Sequence, residues 1–140
     1  MGTWGAGPFE NDEALDFLGD VEDAGPGRLG RLAGPLEHVA YSGDYLEAGE
    51  VSEAVAAAAV VGAALRPAEA ADEPYLPEWV RSVQASEFDN ELIHLSRQAL
   101  RRALQPENNE LYELWAEEEA ASDWQAALAR VLGWLGDRDD

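Results

Sequence analysis

The amino-acid sequence predicts an all-α protein, an irregular bundle of about six helices around a central helix rich in alanine and valine. Apolar residues recur with the 3.6-residue period of a helix in several segments. One segment is apolar on all sides, and none alternates polar and apolar residues between hairpin turns as a half-buried strand would. We expect one domain over 1–140, with an N-terminal arm over 1–10 and a short acidic tail over 137–140.

The first helix is predicted to follow Asn11, a residue type that caps helix N-termini. Asp12 then lies in the first turn, where the helix dipole favours negative charge. The apolar positions of this helix fall at i, i+3, i+4 and i+7, and are Ala14, Phe17, Leu18 and Val21. Frequent glycine and proline predict a loop with at most a short turn over 24–35, before a short helix over 36–41.

The central helix is predicted over 50–65, where alanine and valine occupy every face and indicate burial around most of the circumference. Ser52 is interpreted as a helix cap, and Pro67 ends the helix. The segment 68–77 predicts a connection, followed by a short helix that carries Trp79.

Three more helices are predicted in the last third of the chain from apolar stripes at helical spacing. The first follows Ser86, and the second carries Leu111, Leu114 and Trp115 on one face. The third follows Ser122, which with a glutamine three residues later matches a capping box.

The net charge of −20 arises from 29 acidic residues against nine basic residues, all arginine. Such a charge repels phosphate backbones and anionic membrane surfaces and attracts basic partners, so we expect no binding to nucleic acid or membranes. A simpler interpretation is that the acids only solvate helix faces. The absence of lysine and the 25 alanines then reflect a GC-rich genome.

The cellular environment is expected to be the cytoplasm. There is no cysteine for a disulfide or a thiolate metal site, and the first residues do not resemble a secretory signal. The longest apolar run, 54–65, is shorter than the about 20 residues that a membrane span needs.

The opening segment reads Met1-Gly2-Thr3-Trp4-Gly5-Ala6-Gly7-Pro8-Phe9-Glu10-Asn11-Asp12. It is similar to the signature Met-Gly-x-Trp-Gly-x-Gly-x-Phe-Asp-Asn-Asp of a bacterial family of domains of unknown function, numbered 4259. The likeness continues at Tyr45-Leu46-Glu47-Ala48 and at Glu113-Leu114-Trp115. Glu10 stands where that family usually has aspartate, and Ala59 where relatives often carry glutamate. The resemblance implies a helical fold and a bacterial origin, and it implies no reaction, ligand or partner.

The strongest metal-binding pattern is Glu91-Leu92-Ile93-His94, which places a glutamate and a histidine on one helix face. Di-iron sites of this type need a second such pair, and His38 beside Glu37 has the wrong spacing. Glu91 and His94 are therefore weak candidates, and we expect no metal and no cofactor. Nucleophilic catalysis lacks cysteine and any serine with an evident histidine partner.

Two interpretations remain for the N-terminal motif. In the first, a surface that binds a ligand or partner is formed by Trp4, Asn11 and Asp12. In the second, which we favour, an arm is anchored by Trp4 and Phe9, and Asn11 caps the first helix. The leading functional hypothesis is a non-enzymatic acidic interaction module, immunity- or antitoxin-like, that binds a basic protein. The alternative is a carboxylate-based hydrolase or a divalent-metal protein, and a third is a structural module without a ligand.

Overall fold

The computed structural model describes residues 5–136, and within this range it contains helices, turns and loops but no strand. This confirms the all-α prediction. Short 3-10 helices lie at Arg28–Leu32, Glu78–Ser82 and Ala85–Glu87. The α-helices are α1 (Asp12–Asp23), α2 (Ala33–Tyr41), α3 (Ala48–Leu65), α4 (Pro67–Ala70), α5 (Asn90–Ala103), α6 (Glu110–Ala116) and α7 (Ala121–Trp134).

Helix α1 begins where the sequence predicts. Asn11 has an extended backbone, and its side-chain oxygen accepts a hydrogen bond from the Ala14 N–H at 2.8 Å. The predicted stripe faces the core, with Ala14, Leu18 and Val21 buried and Phe17 half-buried. A local cap and an amphipathic period therefore determine this helix.

Helix α3 lies at the centre of the bundle and packs against α1, α2, α5, α6 and α7. Every residue from Ala54 to Ala64 is buried, because small side chains let neighbouring helices approach from all sides. By length and composition α3 is able to cross a membrane, but 72% of this apolar stretch is buried inside the protein. That burial is the usual situation of a core helix in a globular bundle.

Helix α3 lies close to α7 at Gly62. A methyl group there would lie 3.1 Å from Cβ and 3.2 Å from Cε3 of Trp134, which is itself buried. We expect Gly62→Ala to lower the free energy of unfolding by about 1–2 kcal/mol, because overpacking outweighs the gain in helix propensity. Urea unfolding followed by circular dichroism measures this change.

The matched control is Gly19→Ala in α1, where the added methyl group meets nothing within 4 Å. This change is expected to raise stability by about 0.5–1 kcal/mol through helix propensity alone. If both substitutions stabilise the protein by a similar amount, α7 shifts at little cost to accommodate the added methyl group, and the contact at Gly62 is not tight.

Several predicted boundaries were wrong. Helix α2 starts at Ala33, inside the predicted loop, because Pro35 lies in the first turn and needs no hydrogen-bonded N–H there. Ser52 is buried inside α3, and the cap is Glu47, whose carboxylate forms a reciprocal capping box with Glu50. Asp89, and not Ser86, caps α5.

The last two helices also depart from expectation. Helix α7 begins at Ala121 after Ala120, so Ser122 lies in the first turn and its side chain caps nothing. In α6, Leu114 is 51% exposed, whereas Leu111 and Trp115 are packed against the core. A helix of seven residues is too short for periodicity to settle which face is buried.

Asn109 joins the end of α5 to the start of α6 and is fully buried. Its amide nitrogen donates hydrogen bonds to the carbonyl oxygens of Ala103 at 2.8 Å and Gln105 at 3.0 Å. Its amide oxygen accepts from the Tyr112 N–H at 3.1 Å and so caps α6. One side chain thus satisfies orphan backbone groups of two consecutive helices.

The residues just before α3 form a short parallel pairing with the segment between α5 and α6. The Leu46 N–H donates to the Asn108 carbonyl at 2.8 Å, and the Glu110 N–H donates to the Leu46 carbonyl at 2.9 Å. The Glu110 carboxylate also accepts from the Ala48 N–H at 2.8 Å. The Tyr45 hydroxyl donates to Glu113 at 3.1 Å. The two family-like segments downstream of the N-terminus therefore contact each other directly.

Candidate functional site

The described part of the N-terminal motif, residues 5–12, forms a turn and the start of α1 and packs onto the bundle. Phe9 is fully buried in the core. The Glu10 carboxylate folds back over the arm and accepts a hydrogen bond from the Gly7 N–H at 3.0 Å. A side chain at Gly5 would overlap that carboxylate, with its Cβ only 2.3 Å from Oε2. Gly5 and Gly7 therefore leave room for the Glu10 carboxylate in its observed position.

Of the three residues predicted to bind a ligand or partner, the structure describes Asn11 and Asp12. Asn11 uses its side-chain oxygen to cap α1, Asp12 is exposed in the first turn, and Trp4 lies outside the described residues. Helix capping by Asn11 and the burial of Phe9 agree with the structural interpretation of the motif. A ligand-binding role for these positions stays a prediction.

An ion pair between a half-exposed arginine and a buried glutamate lies next to the arm. Arg130 of α7 donates from Nη2 to both oxygens of Glu73, at 3.0 and 2.9 Å, and the Glu73 side chain is only 5% exposed. Glu73 and Glu10 both lie against Gly7, each within 3.0 Å of the position that a Cβ there would take. One carboxylate is paired with arginine and the other accepts from a backbone N–H of the arm, so both are already engaged by protein groups.

Aromatic side chains of α6 and α7 line the cavity under the arm. Trp115 and Trp124 stack with ring centroids 6.2 Å apart, and Tyr112 meets Trp124 edge-on at 5.8 Å. Trp115 and Trp124 line, together with the arm and Ser52, a cavity of about 20 Å³. That volume accommodates a single water molecule, so no organic ligand fits there in this conformation.

The two weak metal candidates have different surroundings on α5. Glu91 and His94 are both exposed on α5, and only Glu91 faces the groove between α2 and α5. Across residues 5–136, no group of three or more His, Asp or Glu side chains is placed to hold a metal ion.

The most distinctive concave surface is a groove of about 350 Å³ between the start of α5 and the segment formed by the first 3-10 helix and α2. We call it the acidic groove. Its lining includes four acids, one tyrosine and no basic side chain. The lining residues are Leu29, Gly30, Ala33, Glu37, Tyr41, Glu87, Phe88, Asp89, Glu91, Leu92 and Leu95.

Among the residues that line the groove, the sequence predicts a candidate site residue only at Glu91. The local signal is the run Glu87-Phe88-Asp89, an aromatic residue between acids, just before a helix. Acids at helix starts are common, so this run is not specific without the opposite wall that α2 supplies.

Other acids cluster where α1 meets α3. The pKa of Glu53 is raised by partial burial, and the carboxylates of Glu50, Glu13 and Asp20 raise it further. His38 of α2 pairs with Glu50 at 2.5 Å. The acids are therefore spread over several faces, and repulsion among them is a cost of folding.

Replacing Glu53 with glutamine is expected to stabilise the protein at neutral pH by less than about 1 kcal/mol, since a partly exposed charge is screened by solvent. The raised pKa means that the folded state prefers the protonated acid. That preference stabilises the fold below the ordinary pKa of 4.5 and is lost as the pH rises through the raised value. The advantage of the variant should therefore appear at neutral pH and vanish in acid.

Thermal unfolding across this pH range measures the effect, with the exposed Glu107→Gln as a control of equal charge change. High salt should reduce the gain, because it screens the neighbouring carboxylates. An equal gain from the control would assign the effect to net charge and not to the cluster around Glu53.

Comparison with known proteins gives one match. A family model described as Domain of unknown function (DUF4259) matches residues 2–127. No curated protein and no solved structure matches the chain.

Proposed function

We propose that this chain, which belongs to the DUF4259 family of domains of unknown function, is a non-enzymatic acidic module that binds a basic protein. The acidic groove carries the proposal, because it gathers four carboxylates on one concave surface without a basic residue in its lining. An immunity- or antitoxin-like role in a bacterial cytoplasm, in which the module neutralises its partner, is the form of this function that we favour.

The ion pairs within the described residues support the proposal. Arg130, Arg66 and Arg81 pair with glutamates elsewhere on the molecule, and Arg28 stacks over the Trp79 ring at 5.0 Å. Within residues 5–136, the four acids that line the groove form no salt bridge. A surface with a large excess of one sign accelerates encounter with partners of the opposite sign and fixes their orientation.

The hydrolase or divalent-metal alternative has weaker support. It depends on exposed Glu91 and His94, or on acids such as Glu10 and Glu73 that already bind protein groups. A metal site or a general acid needs carboxylates that remain available to the ion or the substrate.

The test is capture of partners from native lysate on protein immobilised through a C-terminal tag, at low and at high salt. We expect enrichment of a discrete basic protein at low salt that weakens as salt rises. Recovery of no basic protein under either condition would contradict the proposal. A thermal shift on adding calcium, manganese or zinc would instead favour the metal-binding alternative.

A further inference from the structure

We infer that the acidic groove binds one short basic segment of the partner protein, in which an apolar side chain lies on the floor and arginine or lysine side chains engage both rims. The inference rests on the proposed function. It adds the surface that is used and the chemistry of the segment that is recognised.

Apolar side chains from both walls contribute to the lining of the groove. Leu29 and Ala33 contribute from one wall and Phe88, Leu92 and Leu95 from the other, and of these Leu29, Ala33 and Leu92 retain partial exposure. Covering such surface favours binding by roughly 25 cal/mol per Å². A volume of about 350 Å³ lies at the lower end of the range for ligand pockets and suits a few side chains.

The side of the groove formed by α2, which we call the α2 rim, carries a carboxylate and an aromatic ring one helical turn apart. Glu37 and Tyr41 occupy positions i and i+4, and Tyr41 is 69% exposed. Residues at this spacing are neighbours on the helix surface. A guanidinium is able to pair with the carboxylate and stack on the ring, which is a combination that suits arginine better than lysine.

The α5 rim holds its acids in fixed positions. One oxygen of Asp89 caps α5 by accepting from the Leu92 N–H at 2.8 Å, and one oxygen of Glu87 accepts from the Gln84 N–H at 2.8 Å. Each carboxylate keeps a second oxygen for a partner, and Glu91 adds an exposed carboxylate. Carboxylates that are already ordered lose less conformational entropy on binding.

The positive end of the α5 dipole repels a bound cation, but it does not make the net charge of the groove positive. The dipole amounts to about half a positive charge at the helix N-terminus. Four carboxylates surround the groove, so the local charge stays strongly negative. The same charge disfavours an acidic peptide or a phosphate backbone as the occupant.

The probe for this inference is a fluorescein-labelled peptide, Arg-Arg-Leu-Leu-Arg-Arg, whose binding is followed by fluorescence anisotropy. Two companion peptides replace the leucines by serine or the arginines by glutamate. The groove variant is Glu37→Gln with Glu91→Gln, and the control is Glu22→Gln with Glu118→Gln. Both pairs are exposed and change the net charge equally.

We expect the groove variant to weaken binding of the arginine-leucine peptide by about tenfold and the control by less than about twofold. The serine peptide should bind more weakly than the leucine peptide, and the glutamate peptide should not bind. Equal losses in both variants, equal binding of the serine peptide, or equal competition by spermidine would overturn the inference.

The same two variants separate this inference from the proposed function. If the unmodified protein and the control capture one basic protein from lysate and the groove variant does not, both hold. If the groove variant captures the basic protein at undiminished yield, the inference about the groove is wrong, but the proposed function is still supported. If the unmodified protein captures no basic protein, the proposed function itself fails.

Discussion

Asn109→Asp is expected to lower the free energy of unfolding by about 3 kcal/mol, although the two side chains have nearly the same shape. The new carboxylate keeps the acceptor that caps α6, but it loses both donors to the Ala103 and Gln105 carbonyls. It also places a negative charge beside two carbonyl oxygens at a position with no solvent exposure. The penalty is electrostatic and not steric.

Urea unfolding at neutral and acidic pH tests this explanation, with the neighbouring Asn108→Asp as the control. Asn108 is exposed, and its left-handed backbone with φ of 53° is tolerated by aspartate as well as by asparagine. The control should change stability by less than about 0.5 kcal/mol. Protonation restores one donor to the buried carboxyl, so the Asn109→Asp deficit should shrink in acid. A deficit that does not depend on pH would disprove the electrostatic account.

Arg130→Met is the second substitution with a large expected effect, about 2 kcal/mol of lost stability, which is less than for a fully buried pair because the arginine is 46% exposed. The methionine retains much of the aliphatic packing but leaves the Glu73 carboxylate, 5% exposed, without its counter-ion. An unpaired buried charge costs more than the ion pair itself contributes. Because Glu73 lies against Gly7, we expect the loss to loosen the N-terminal arm.

The double variant Arg130→Met with Glu73→Gln should recover most of that stability, since the buried group is then neutral. Arg66→Met is the surface control, because its partner Glu69 is well exposed and 3.8 Å away, and it should cost less than about 0.5 kcal/mol. Hydrogen exchange should show greater opening of the arm in Arg130→Met. If the double variant is no more stable than the single one, lost packing and not the unpaired charge explains the effect.

Local features of the sequence predicted some elements well. Asn11 and the stripe from Ala14 to Val21 predict α1 because the cap and the apolar period act within the helix itself. Composition alone predicts the burial of α3. The predicted caps at Ser52 and Ser86 were wrong because Glu47 caps α3 and Asp89 caps α5.

The sequence by itself determined the helical class, the buried central helix, the N-terminal motif and the strong negative charge. Only the tertiary structure brought Glu37 and Tyr41 opposite Glu87, Asp89 and Glu91. Periodicity tells which face of a helix is buried, but the choice of which helices pack together depends on side-chain shape and on the connections between them. Helix α2 packs against α5, and this packing forms the acidic groove.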